Sequence, residues 1–242
     1  MKRAWAMLGG MTLLLVVGCS QNYDRRTEQT LDRMYYEKRL DDNLMPPAAK
    51  GKLEELSIYL RPPKELAGPT QTFQMTVVEP GKFDVESTFI EPDKQSLHVL
   101  ARVDRPKAAA KKTPAPADAA PRGDFNEEVV DLVRNVYGAE INLGQFKEQK
   151  KQNNTFKAYT VNLEAKEIQI YLYGGKSTPH KVALIFEYPK AEKNAVSPKI
   201  GLCLECFAVG EAARLAFAGG EVEENADGEG GGGGGEGGGP PI

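Results

Sequence analysis

The chain has 242 residues, with 31 Lys or Arg, 34 Asp or Glu and 2 His, and its formal net charge is −3. This length allows one or two ordinary domains, and a hydrophobic content of 40% is compatible with a folded core. A charge near zero gives no reason to expect nucleic-acid binding. Three Cys exclude a disulfide scaffold, and two His exclude a metal site built from several histidines within one chain. We also expect no cofactor.

The first residues are typical of an exported protein. Basic Lys2 and Arg3 precede an apolar stretch at 4–17, which is too short for a convincing membrane-spanning helix. The stretch ends in Val-Val-Gly followed by Cys19, which resembles the lipobox of bacterial lipoproteins. The resemblance implies that residues 1–18 are a signal peptide that is removed, and that the Cys19 thiol carries the lipid, with palmitate among its acyl chains.

The residue after the modified cysteine indicates the membrane. In Gram-negative lipoproteins an Asp at this position usually signals retention in the inner membrane, so Ser20 implies the outer membrane. Several acyl chains bury many CH₂ groups at ~0.8 kcal/mol each, which anchors a protein firmly. We therefore expect a cell-envelope protein that contacts the membrane through its N-terminal lipid. An ordinary signal peptide or an N-terminal anchor is the alternative.

Three segments of the remaining chain have compositions that predict no core. Residues 19–52 comprise the lipid anchor and a charged, partly helical stalk. Residues 105–123 are rich in Ala and Pro and hold five basic groups and one acidic group, which predicts a semi-extended linker. Residues 219–242 are Gly and acid without Lys or Arg, which predicts a disordered tail. Residues 53–218 are then one domain with the linker as an insert.

Two of these segments have alternative functions. In the stalk, Leu31, Met34 and Tyr35 have loose helical spacing, and the adjacent Tyr35 and Tyr36 also fit a partner-binding helix. The basic groups of the insert could contact anionic lipid head groups, although a solvated loop is the simpler interpretation.

Alternating apolar residues predict strands on both sides of the insert. Their positions are 56–60, 73–77, 83–89 and 97–103 before the insert, and 159–163, 168–172 and 182–188 after it. Short turns join the last three strands, so we expect them to be antiparallel neighbours.

Two helices complete the pattern. Asp124 is suited to cap the first helix, and Gly138 to end it. Ser197 and Pro198 are suited to begin the second, which is predicted to continue to Phe217. These elements predict an α+β fold, in which an antiparallel sheet of about six strands is flanked by helices.

The order of these elements resembles that of the PsbP-like superfamily. The resemblance is carried by the helix at 125–137, the strands at 156–163, 167–173 and 181–188, and the helix at 197–217. It is a resemblance of element order without a sequence signature, and the insert is a departure from it. It implies a PsbP-like sandwich, in a superfamily of mostly non-enzymatic binding or assembly proteins that includes envelope lipoproteins.

The pair Cys203 and Cys206 forms a C-x-x-C sequence on the apolar arc of the last predicted helix. This position favours buried thiols that act as small hydrophobic side chains. A disulfide between the two cysteines, or a redox or metal role, is the alternative. Tetrahedral zinc would need two further ligands, for which only His98 and His180 are candidates. We therefore predict no metal site.

Catalytic motifs are not recognisable. The Gly-Gly-Lys-Ser-Thr sequence at 174–178 resembles the end of a phosphate-binding loop, but Ile170 stands where the first Gly is required. Strands flank this sequence on both sides, which predicts a hairpin loop. No Ser or Cys lies in a nucleophile-elbow context and no carboxylate pair can be placed, so no catalytic residue is assigned. A hydrolase assisted by His98 or His180 is the alternative.

Tyr171, Tyr173 and Tyr188 are the candidate binding residues, because we expect them to be exposed and aromatic side chains are enriched in interface anchors. Their alternative role is to cover sheet edges or helix flanks.

The sequence thus predicts a lipid-anchored protein of the outer membrane that is a non-catalytic binding or assembly module for a protein or another envelope component. The alternatives are an enzyme whose site is assembled from residues distant in sequence, and a structural surface lipoprotein.

Overall fold

The computed structural model describes residues 25–48, 51–70, 72–79, 81–104, 122–174 and 178–219. The predicted signal peptide, Cys19, most of the insert and nearly all of the predicted tail lie outside these ranges. None of the helices within them is both long enough and apolar enough to span a bilayer.

The described ranges contain five α-helices and eight β-strands. The helices are α1 (25–43), α2 (Lys52–Glu55), α3 (Phe125–Tyr137), α4 (Lys193–Glu205) and α5 (Glu211–Phe217). The strands are β1 (Ile58–Tyr59), β2 (Val85–Glu91), β3 (Gln95–Val103), β4 (Lys147–Lys151), β5 (Asn154–Asn162), β6 (Lys166–Tyr173), β7 (His180–Pro189) and β8 (Ala208–Val209). Short 3₁₀ helices lie at Leu143–Gln145 and Lys190–Glu192.

Six strands form one sheet in the order β2-β3-β7-β6-β5-β4, and every neighbouring pair is antiparallel. Strands β1 and β8 form a separate two-stranded sheet. The predicted α+β fold, with an antiparallel sheet of about six strands flanked by helices, is confirmed. The chain from Gly174 to Thr178 joins β6 to antiparallel β7, although residues 175–177 lie outside the described ranges.

The sheet separates two apolar cores, because successive side chains of a strand point to opposite faces. On one face, which we call the α4 face, the sheet residues Val99, Leu184 and Phe186 pack with Ile200 and Leu204 of α4. On the other, which we call the α3 face, the core is made with α3, and it contains Leu100, Ile168, Ile170, Ile185, Val129 and Val133. Strands covered on both faces have near-continuous apolar sequences, as β7 does.

Helix α3 begins and ends at the predicted residues. The Asp124 carboxylate accepts hydrogen bonds from the backbone N–H groups of Asn126 at 2.9 Å and Glu127 at 3.1 Å. Gly138 ends the helix at a φ of 64°, and its N–H donates to the Arg134 carbonyl. The left-handed conformation at this position is the reason that glycine suits it.

Both ends of the insert are fastened to the domain. Arg102, at the end of β3, is 3% exposed, donates to the Gly123 carbonyl at 2.9 Å and forms an ion pair with Glu128. Arg122, on the other side of the insert, forms an ion pair with Asp84 at 2.7 Å. The chain therefore leaves the domain and returns to it at neighbouring points.

The single C-terminal helix predicted over 197–217 is wrong. Helix α4 begins before Ser197, so Ser197 is not its cap and Pro198 lies inside it. After α4 the chain forms β8, turns at Gly210 with a φ of 64°, and begins α5. The Gly210 N–H donates to the Ser57 carbonyl at 2.8 Å. This break depends on pairing with residues some 150 positions earlier, which helical periodicity does not register.

Two strand predictions also differ from the structure. The alternating residues at 73–77 form no strand; Phe73 and Met75 instead pack against the core of the α3 face, and the Gln74 N–H donates to the Thr88 hydroxyl. Strand β4 was not predicted, because its sequence Lys-Glu-Gln-Lys-Lys has no apolar alternation. A strand at a sheet edge needs no apolar face, and lysines there protect the edge from further pairing.

Part of the predicted stalk packs on the domain. Leu40 and Leu44 are 7% and 1% exposed and belong to the core of the α4 face. The Met45 N–H donates to the Pro62 carbonyl at 2.8 Å, which fastens the chain after α1. Residues 25–35 are all exposed. The packed core thus starts before residue 53, and only the first half of α1 extends away from it.

Candidate functional site

The tyrosines expected to be exposed are mostly buried. Tyr188 and Tyr171 are 1% and 7% exposed, so the expectation of exposure is wrong for both. Tyr173 is half-buried, and its ring lies 5.8 Å from that of Phe156 and 5.1 Å from that of Phe207. All three tyrosines lie on the α4 face. Alternation in sequence does not tell which face of a strand is open when both are covered.

The hydroxyls of two of these tyrosines belong to a hydrogen-bonded cluster around Glu167. Tyr188 Oη donates to Glu167 Oε1 at 2.6 Å. Gln169 Nε2 donates to the same carboxylate oxygen at 3.0 Å and to Tyr188 Oη at 2.6 Å, and Tyr171 Oη donates to Gln169 Oε1 at 2.8 Å. Lys193, at the start of α4, donates to Glu167 Oε2 at 2.8 Å. We call these five residues the Glu167 network.

The network keeps a buried charge and fixes the direction of its hydrogen bonds. Burial raises the pKa of the Glu167 carboxyl, but hydrogen bonds from Lys193, Tyr188 and Gln169 outweigh that effect and hold the pKa below its ordinary value. Because a carboxylate only accepts, the Gln169 amide turns its NH₂ group to Glu167 and its carbonyl to Tyr171. Burial and the Glu167 charge raise the pKa of Tyr171 to about 12, so its hydroxyl keeps its proton.

Beside this network the α4 face is open. Helix α4 begins beside Glu167, with which its first residue, Lys193, forms an ion pair. Two to three turns later, its Gly201 lies beside the Lys151 side chain at the end of β4. This diagonal crossing leaves a groove of about 560 Å³ over the start of β4 and the adjoining parts of β5 and β6. We call it the sheet groove; its floor and walls include Lys147, Gln149, Ala158, Thr160, Gln169 and Tyr171.

The pairing of the strands places these side chains in rows. Lys147 of β4 lies opposite Ala158 of β5, which lies opposite Tyr171 of β6. In the next row Thr160 lies opposite Gln169. Directly opposite residues point to the same face, so ammonium, amide and hydroxyl groups converge on one surface. Such groups can bind a ligand by hydrogen bonding.

His98 lies on the α3 face, where its ring is buried. It is 4% exposed, and both ring nitrogens are 3.1 Å from a hydroxyl, Nδ1 from Thr88 and Nε2 from Ser96. The ring of Phe73 packs on it at 5.6 Å. Burial lowers the pKa of His98 to about 4, although the Glu187 carboxylate 4.0 Å away acts in the opposite direction. The imidazole is therefore a neutral, structural group at neutral pH.

The cysteines of the C-x-x-C sequence are free thiols at the end of α4. Cys203 is fully buried, and Cys206 Sγ donates to the Cys203 carbonyl at 3.4 Å. Burial raises the pKa of both thiols, that of Cys206 to about 12. His180 Nε2 lies 3.0 Å from the Leu56 carbonyl. Within the described ranges, no three His, Cys, Asp or Glu residues are grouped so that they could hold a metal ion.

Comparison with known proteins gives a resemblance in architecture. No protein-family model matches the chain, and no curated protein matches its sequence. Among solved structures, the chain is similar to the solution structure of cyanobacterial PsbP (CyanoP) from Synechocystis sp. PCC 6803. The TM-score is 0.41 and the sequence identity 10%, over 69% of this chain and 93% of that chain. The comparison shows a likeness of fold alone.

Proposed function

We propose that this chain is a lipid-anchored protein of the bacterial cell envelope that acts as a non-catalytic binding module, with the sheet groove as the site for a protein or another envelope component. The observation that carries the proposal is the groove itself, in which polar side chains converge beside the Glu167 network. A site whose side chains are already fixed loses less affinity to ordering when a ligand binds.

The network also determines what the groove offers a ligand. Tyr171 Oη donates its proton to Gln169, so toward a ligand its hydroxyl is an acceptor. Lys147 and the Gln149 amide supply donors on the same face, and the Thr160 hydroxyl can act as a donor or as an acceptor. The groove is therefore suited to a ligand that carries both donors and acceptors, such as a peptide backbone or a hydroxylated envelope component.

The sequence at Cys19 supports the anchor. The mass of the chain extracted from membranes tests it: we expect the mass of residues 19–242 plus a diacylglycerol and further acyl groups. Cys19→Ser is expected to lack this added mass. An unmodified Cys19 in membrane-extracted chain would contradict the anchor and leave the proposal for the groove standing by itself.

Two threonines of β5 allow a matched test of the groove. Thr160 and Thr155 are both exposed but lie on opposite faces of this strand, with Thr160 in the groove. We expect a partner component to co-purify with the parent chain from membranes. Thr160→Trp is expected to abolish this co-purification, whereas Thr155→Trp is expected to retain it. Equal retention by both variants, with both folded by circular dichroism, would contradict the assignment of the groove.

A further inference from the structure

Helix α1 has apolar residues on two nearly opposite faces. At 100° per residue, Tyr36 and Leu40 point to the domain and pack on the core of the α4 face. Leu31, Met34 and Tyr35 point the other way and are 46%, 59% and 70% exposed. We call these three residues the outer stripe. Their i, i+3, i+4 spacing makes one continuous apolar surface along the helix.

The outer stripe has no role in packing the described domain. Residues 25–35 are exposed throughout, so this half of α1 extends away from the core. In this half of α1, the helix face that carries Tyr36 further along holds only polar side chains, which are Gln29, Asp32 and Arg33. The large apolar side chains of the extending half thus all face away from the domain. A contiguous exposed apolar surface of this kind indicates an interaction site.

We infer that the outer stripe lies in the interfacial layer of the phospholipid membrane, an inference that rests on the proposed lipid anchor at Cys19. Five residues separate Cys19 from Arg25, where the described part of α1 starts, so Arg25 lies within about 20 Å of the anchor. A helix with an apolar stripe and a polar opposite face lies in the plane of the interface. The tether makes this contact intramolecular, so a small apolar surface is sufficient.

A second copy of the chain fits the stripe less well. A stable protein interface buries about 800 Å² per partner, and three side chains of one helix, themselves partly covered, provide much less. On the membrane the stripe needs no complementary surface. In this arrangement α1 lies along the bilayer and holds the domain beside the membrane, and it does not act as an upright stalk.

Tryptophan fluorescence tests this placement, because Trp5 is the only Trp and lies in the predicted signal peptide. In a Trp5→Phe background, Tyr35→Trp places the probe on the outer stripe. Gln29→Trp is the matched control on the polar side of the same half of α1. The full lipidated chains are reconstituted into vesicles of phosphatidylcholine and phosphatidylglycerol, with and without lipids brominated on their acyl chains.

We expect the brominated lipids to quench the emission of Tyr35→Trp about twofold more than that of Gln29→Trp, because the outer stripe reaches the acyl boundary. Equal quenching of both variants would overturn the inference. An emission shift of Tyr35→Trp that follows protein density and not lipid bromination would also overturn it, and would indicate a second copy as the partner.

The mass of the reconstituted chain separates this inference from the anchor on which it rests. If Cys19 carries no lipid, the proposed anchor fails, and the unlipidated chain is tested at high vesicle concentration. Stronger quenching of Tyr35→Trp than of Gln29→Trp there supports the outer stripe without the anchor. Equal quenching there overturns the inference.

Discussion

The Glu167 carboxylate and the Tyr188 hydroxyl lie directly opposite each other on adjacent strands and are joined by a hydrogen bond of 2.6 Å. Glu167 is 2% exposed and Tyr188 1% exposed, so a negative charge is held under α4 by groups that donate to it. A buried charge is costly unless its partners remain in place. The same contacts therefore stabilise the fold and fix the side chains beside the sheet groove.

Glu167→Ala is expected to lower the free energy of unfolding by about 2–3 kcal/mol, because Tyr188 and Gln169 lose a buried acceptor. Glu37→Ala is the control, because its ion pair with Arg33 is exposed on both sides and is worth less than about 1 kcal/mol after screening by water. Urea unfolding measures both values. Equal losses for the two variants would show that the hydroxyl and amide partners do not carry the stabilisation.

Stability is expected to fall in acid because of His98. Its pKa is 6.5 when unfolded and about 4 in the fold, so between these values the unfolded chain binds a proton that the folded chain does not. The contribution of His98 to the free energy of unfolding is constant above about pH 6.5, falls as the pH drops toward 4, and levels off below 4. The total loss is about 3 kcal/mol.

Urea unfolding as a function of pH measures this loss, and His98→Gln is the control. The variant keeps groups that can bond to Thr88 and Ser96 but cannot take up a proton in this range. Subtracting its profile removes the titration of carboxylates such as Glu187, whose lowered pKa affects stability at lower pH. A variant with the same pH profile as the parent chain would contradict the burial of a neutral imidazole.

Cys203 and Cys206 are expected to react slowly with thiol reagents in the native protein. Only the thiolate reacts, and a rise in the pKa of Cys206 from 9.0 to about 12 predicts labelling roughly a thousandfold slower than in the unfolded chain. Cys203 is fully buried and should be slower still. Mass spectrometry of native and urea-unfolded protein measures both rates. Rapid labelling of the native chain would favour an accessible, redox-type pair.

Leu44→Ala is expected to cost about 2–4 kcal/mol of stability, because the side chain is 1% exposed in the core of the α4 face. Leu31→Ala, on the exposed part of α1, is expected to change stability in solution by less than about 0.5 kcal/mol. Thermal or urea unfolding of the chain distinguishes them. Similar small effects for both variants would mean that the end of α1 is a separate stalk.

Secondary-structure elements could be predicted from the sequence where local periodicity and local chemistry agree. Strands β3, β5, β6 and β7 follow from alternating apolar residues, and α3 follows from its apolar stripe with Asp124 and Gly138 at its ends. The break after α4 was not predictable in this way, because β8 forms by pairing with β1, and Gly210 binds Ser57. Contacts between residues so far apart leave no periodic signal along the chain.

The candidate site was less predictable than the fold. Tyr171 was selected from the sequence, but as an exposed anchor, whereas it is a buried member of the Glu167 network at the edge of a groove. The groove depends on polar β4 as the edge strand and on the diagonal course of α4. Neither feature has an apolar pattern, so Lys147 and Thr160 had no signal that would mark them as lining one site.

Site-specific photocrosslinking in the native envelope tests most directly whether the sheet groove binds a partner. A photoreactive amino acid at position 160 lies in the groove, and the same amino acid at position 155 lies on the opposite face of β5. We predict an adduct of defined mass from position 160 and none from position 155. The same adduct from both positions, or none from position 160, would contradict the groove as the binding site.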